Sequence, residues 1–72
     1  MEPDLLRAFV ESAEAGSFSR AARNLSLAQP SLTAQIQRLE RHLGAPLFKR
    51  HARGVILSEA GAVLLPRAKQ LL

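Results

Sequence analysis

The sequence predicts a mainly α fold: three helices, a small two-stranded β hairpin, and a fourth helix. Three observations predict it. Apolar residues recur at helical spacing over residues 4–15, 28–43 and 59–72. Gly16 and Gly44 stand where the first two of those patterns stop. Two short β-prone runs, Leu47-Phe48 and Val55-Ile56-Leu57, flank a basic stretch that ends in Arg53-Gly54. With 72 residues the chain is one small domain. A chain of this size buries only roughly 60% of its unfolded surface. It has no cysteine, so neither a disulfide nor a thiolate metal site supports it.

The first helix spans residues 4–15, with Asp4 placed to cap it. Leu5, Leu6, Phe9, Val10 and Ala13 form its apolar stripe, and its outer face is acidic. Its role is structural. Ser17 then caps a second helix over Phe18–Leu25, in which Phe18, Ala21, Ala22 and Leu25 face inward. The adjacent alanines let another helix approach closely. After a tight connection through Ser26 and Leu27 the third helix begins, and Pro30 suits its first turn, where no amide donor is missed. Two helices joined so closely make a helix-turn-helix.

The third helix, Ala28 to Leu43, organises the rest. Leu32, Ile36, Leu39 and Leu43 stack on one stripe. The opposite side carries Pro30, Ala34, Gln37, Arg38 and Arg41, flanked by Gln29, Ser31 and Thr33, with Glu40 its one acid. Amides, hydroxyls and arginines hydrogen-bond base edges and phosphates, so this face is expected to enter a DNA major groove by its N-terminal end. Gly44 closes the helix and Pro46 bars its continuation. The hairpin that follows is a wing, and Arg53 at its tip is placed to enter a minor groove. Gly54 is free to take a positive φ there.

Ser58 caps the last helix, with Glu59 favourable in its first turn. Ala60, Val63, Leu64, Ala68, Leu71 and Leu72 are its apolar stripe. Pro66 conflicts with that pattern, because a mid-helix proline costs about 3 kcal/mol. The helix therefore ends at Leu65 or bends. Its leucines also run to the last residue, where no core is left to cover them, which points to a partner chain, to further protein, or to both.

Net charge is +4, and its distribution is directional. Residues 1–15 set Glu2, Asp4, Glu11 and Glu14 against Arg7, a net of −3. Residues 16–57 set seven cations against Glu40, a net of +6, and residues 58–72 carry +1. Such a field suits a polyanion. His42 and His51 are isolated from any carboxylate cluster, so no catalysis, metal site or cofactor is expected. No run approaches the length of a membrane span and the N-terminus lacks a secretory signal, so the expected location is the cytoplasm.

Read together, the segments LLRAFVESAEAGSFSRAARNL, AQPSLTAQIQRLERHLGAPLFKR, ILSEAG and LLPRAKQLL closely resemble the N-terminal DNA-binding domain of LysR-type transcriptional regulators. The likeness covers essentially the whole chain, with its pieces in the family's order and spacing. It implies a winged helix-turn-helix over residues 1–57 and a linker helix over 58–72 that pairs two subunits and accommodates Pro66. It further implies a larger ligand-sensing domain beyond residue 72, through which a small-molecule effector would act. A bacterial homodimer on a pseudo-palindromic operator, tetrameric at full length and bound to the nucleoid DNA, completes the implied picture. The family's contacts fall on Gln29, Pro30, Ser31, Thr33, Ala34, Gln37 and Arg38 of the recognition helix, and on Arg50 and Arg53 of the wing. Gln29 would read adenine and Pro30 a thymine methyl. Position 34, often arginine in the family, is Ala34 here, and Ala28 stands where many relatives have a capping serine or threonine.

Two other readings compete. A protein-interaction module would use the last helix as its working surface. A membrane-surface helix is disfavoured, because the apolar stripe of the third helix is narrow and needed for the core.

Overall fold

The computed structural model describes residues 2–72. In chain order it comprises α1 (Pro3–Ala15), α2 (Phe18–Asn24), α3 (Gln29–Leu43), β1 (Phe48–His51), β2 (Gly54–Leu57) and α4 (Glu59–Leu71). The three helices, the wing and the fourth helix are thus all present in the expected order.

Helix α1 starts at Pro3, and its cap is Glu2 rather than Asp4. The reason is steric. Proline presets the helical φ at a first position, while the residue before it is pushed into the extended region where a cap belongs. Asp4 therefore lies inside the first turn, 3.6 Å from Arg7. Gly16 ends the helix in the left-handed conformation. Ser17 caps α2 as expected, its Oγ accepting from the amide of Arg20 at 3.2 Å. Helix α2 has seven residues and ends at Asn24, with Leu25 as its half-buried cap. The turn into α3 passes through Ser26 at φ 58, a left-handed serine.

Leu32, Ile36 and Leu39 are buried against α1 and α2, where Ala21 and Ala22 allow the close approach. Leu43 is not part of this core; it is 41% exposed. It falls in the last turn of α3, past the helices that cover the first three. Burial of side chains such as Leu32, Leu39 and Phe9 contributes roughly 1.5–3 kcal/mol each.

The wing is a two-stranded antiparallel sheet pairing Phe48 with Leu57 and His51 with Gly54. The first strand runs on through Lys49, Arg50 and His51, so these basic residues lie in the ladder rather than in a connecting loop. Phe48 packs between Phe9 and Phe18, at ring separations of 5.5 and 5.3 Å. At the far end, Gly54 takes φ 145 and lies so close to the Gly16 carbonyl that a Cβ would stand 2.2 Å from it. The amide of Val55 donates to that same carbonyl at 3.1 Å. The wing is therefore fastened to the α1–α2 corner through backbone.

Ser58 caps α4 by accepting from the amide of Gly61. The helix neither ends at Leu65 nor breaks at Pro66 but runs to Leu71. Proline removes one donor, the partner of the Ala62 carbonyl, and Ala62 and Pro66 both face solvent, where water replaces it. The expected apolar stripe divides. Ala60, Leu64 and Ala68 pack on the core, whereas Val63 and Leu71 are 65% and 68% exposed and Leu72 is exposed too. Lys69 reaches Glu14 of α1 at 2.7 Å.

Candidate nucleic-acid interface

The site is built on the exposed end of α3. Gln29, Pro30, Ser31, Ala34, Gln37 and Arg38 are exposed and Thr33 is half-buried. They point outward because Leu32, Ile36 and Leu39 claim the inner stripe. Gln29, Pro30, Thr33, Ala34 and Gln37 line one shallow groove. Among the described residues, the side chains of Gln29, Ser31, Thr33 and Gln37 have no hydrogen-bond partner within the protein. These donors and acceptors are left to water or to a ligand.

A second groove joins α3 to the wing, with Thr33 and Gln37 on one wall and Phe48 and Arg50 on the other. The Arg50 guanidinium lies over the Phe18 ring, 5.5 Å from its centroid. Its strand partner is the buried Val55, which puts Arg50 on the inner face of the wing. A third concavity has Gln29, Arg50, His51, Ser17 and Ser19 on its rim. The structure thus brings Gln29, Thr33, Gln37 and Arg50 onto one continuous surface. Arg53 stands apart at the exposed wing tip, in the turn where its amide donates to Nδ1 of His51 at 3.2 Å.

Arg38, unlike the amides and hydroxyls beside it, has a partner within the protein. Its guanidinium is engaged by Glu2 at 3.1 Å, across from the α1 N-terminus. Sequence reasoning had no route to this pair, since 36 positions separate the two residues. Ser17 and Ser19 were also missed as lining residues.

The acids of α1 are largely spent inside the protein. Glu2 pairs with Arg38, Asp4 with Arg7 and Glu14 with Lys69, and Glu11 accepts from Asn24 at 2.9 Å. Among the described residues, Arg20, Arg23, Lys49, Arg50 and Arg53 have no carboxylate within 4.0 Å. Arg41 of α3 and Arg67 of α4 are likewise without a carboxylate at that distance, so the positive field spans α2, the wing and parts of α3 and α4. Glu40 does not serve as a surface ion-pair partner. Its Oε2 accepts from the amide of Leu47 at 2.8 Å.

A helix-turn-helix with an unpartnered polar end on α3 and a basic wing beside it defines a winged helix-turn-helix domain. Comparison with known proteins agrees. Residues 3–62 match the family described as bacterial regulatory helix-turn-helix protein, lysR family, and the chain belongs to that family. It is 56% identical over its whole length to the HTH-type transcriptional regulator TfdT of Cupriavidus pinatubonensis, and 53% identical to BudR of Raoultella terrigena. The chain spans 32% and 25% of the length of those two relatives. Among solved structures it superposes on the CbnR DNA-binding domain in complex with DNA with a TM-score of 0.93 at 41% identity, covering 99% of this chain and 82% of that one. The BenM DNA-binding domain with catB site 1 DNA gives 0.93 at 42%, covering 99% and 80%. Among the described residues no helix is long and apolar enough to cross a membrane.

Proposed function

We propose that this chain binds double-stranded DNA sequence-specifically and regulates transcription, as the N-terminal DNA-binding part of a longer regulator. The reading end of α3 enters the major groove, where Gln29, Pro30, Ser31, Thr33, Ala34 and Gln37 meet base edges. Arg38 and Arg50 meet phosphates, and Arg53 enters the adjacent minor groove. Residues 1–57 form the reading head and residues 58–72 the helix through which two copies pair. The observation that carries this reading is the row of exposed, unpartnered side chains on α3, with like-folded domains bound to DNA in support. The exposed Val63, Leu71 and Leu72 support pairing through α4, on a pseudo-palindromic site whose half-sites share one face of the duplex. A ligand-sensing domain beyond residue 72 fits the chain's small share of its relatives' length.

Selection of duplexes from a random pool, followed by titration across salt concentration, tests the reading. Affinity is expected to fall steeply with salt, with a slope near −0.9 per phosphate neutralised. Absence of binding to any duplex at low salt overturns it.

A further inference from the structure

We propose that Glu40 and Ser58 are positioning residues: they lock α4 to α3 through one peptide segment and thereby set the half-site spacing that a pair of chains accepts. The inference rests on the DNA reading above.

The segment is Pro46-Leu47. From one side, Oε2 of Glu40 on α3 accepts from the Leu47 amide at 2.8 Å. From the other side α4 grips the same two residues. The Ser58 amide donates to the Leu47 carbonyl at 3.0 Å, and the Ser58 hydroxyl donates to the Pro46 carbonyl at 2.7 Å. Gly61 presses against the same carbonyl, so that a Cβ there would stand 2.3 Å from the Leu47 oxygen. Leu47 itself is buried, which anchors the segment in the core. Glu40 and Pro46 also border the groove between α3 and the wing, but Oε2 of Glu40 is engaged by the Leu47 amide. A half-buried glutamate holding a backbone amide is a directional, charge-assisted bond. The other attachments of α4 are apolar packing of Ala60, Leu64 and Ala68 on the core, which is non-directional, and the Lys69–Glu14 pair, whose half-exposed flexible side chains hold an angle only weakly.

Angle is what a paired reader must control. Gln29 lies eleven residues from Glu40 along α3. At 1.5 Å per residue that is a lever of roughly 16 Å, so a tilt of about 10° at the joint moves the reading end by about 3 Å. That is close to one base-pair step of ~3.4 Å. A loosened joint therefore blurs spacing by about one base pair while leaving each reading surface intact.

The test uses the 72-residue chain with Glu40→Ala, with Glu40→Asp (same charge, one methylene too short), and with Glu40→Gln, which keeps an acceptor. Folding of each is checked by circular dichroism, and Glu40→Asp stands in should Glu40→Ala fail to fold. Affinity is measured for the selected operator, for operators with one base pair inserted or deleted between half-sites, and for a single half-site. We expect Glu40→Ala and Glu40→Asp to lose about fivefold or more of the discrimination between spacings, as one charged hydrogen bond would give. Single half-site affinity should stay within about twofold, since the base readers are untouched, and Glu40→Gln should restore the discrimination. Unchanged spacing discrimination, or a parallel loss on all duplexes, overturns the proposal.

A second arm needs no DNA. The chain has no cysteine, so spin labels on Arg41→Cys and Gln70→Cys report the α3–α4 distance directly. The distance distribution is expected to broaden in Glu40→Ala. An unchanged width overturns the joint, while broadening in a chain that binds no duplex retains the joint and overturns only its link to spacing.

Discussion

The two ends of α3 are built in opposite ways. At the N-terminal end, Ala28 caps the helix without a side-chain bond, and Gln29, Pro30 and Ser31 stand in solvent. At the C-terminal end, Gly44 stops the helix with its amide on the Glu40 carbonyl, Leu39 is buried, and the Glu40 carboxylate holds Leu47. One end is left unsatisfied and the other is satisfied twice over. The difference separates two tasks. A surface that must exchange water for base edges needs free donors and acceptors, whereas the end that bears the reaction of binding needs bonds already made.

Breaking the anchored end gives the largest effect. Leu39→Ala should destabilise the domain by about 3 kcal/mol, as cavity formation at a fully buried leucine does, read from urea unfolding. A loss under about 1 kcal/mol would mean this end is not the anchor. The reading end should respond in the reverse sense. Gln29→Ala should leave stability within about 0.5 kcal/mol while discrimination between selected and random duplexes falls by about 2 kcal/mol, as one bidentate base contact is lost. Competition titrations decide the matter, and equal weakening on both duplexes would remove Gln29 from the base readers.

The anchored half of this contrast was the less legible from sequence. Helical spacing revealed Leu32, Ile36 and Leu39, because periodicity reports which face is buried. It could not tell that Leu43, on the same stripe, lies past the end of its cover, nor that Val63 and Leu71 separate from Ala60, Leu64 and Ala68. Those outcomes depend on where neighbouring helices stop. Glu40 stood out in the sequence only as the one acid of its helix face, because its partner is a backbone amide, which no side-chain pattern encodes. The grip of Gly54 on Gly16 was visible only as a permissive glycine, and its cause, contact between two backbones, came with the fold. The reading end was legible because it is exposed: position on the helix alone dictates where Gln29, Thr33 and Gln37 point. Arg38 was the exception, since a distant acid competes for it.

Repairing the loose end sharpens the contrast at lower cost. Ala28→Ser supplies the hydroxyl that α3 lacks and should raise stability by about 1 kcal/mol, seen as a higher melting temperature. Selectivity should be retained, because the new bond satisfies a first-turn amide and leaves the Gln29 and Gln37 side chains free. No gain in stability would mean that the amides of this first turn are already satisfied without a side chain.

The smallest expected change concerns Arg38. Glu2 caps α1 without a side-chain bond to its backbone, so Glu2→Ala leaves the helix start intact. The pair it removes is half-exposed on both sides, and such pairs contribute little, so stability should move by no more than about 0.5 kcal/mol. Binding should change more than stability. With Glu2 gone, Arg38 is released and one carboxylate is removed beside the duplex. Affinity for any duplex should then rise by about two- to fivefold at low salt, and the salt slope should steepen by about one unit as one more phosphate is neutralised. Sequence selectivity should stay as it is, since Arg38 is proposed to meet phosphate rather than a base. An unchanged slope would show that Arg38 stays off the backbone even when free, and would end the contact surface of α3 at Gln37.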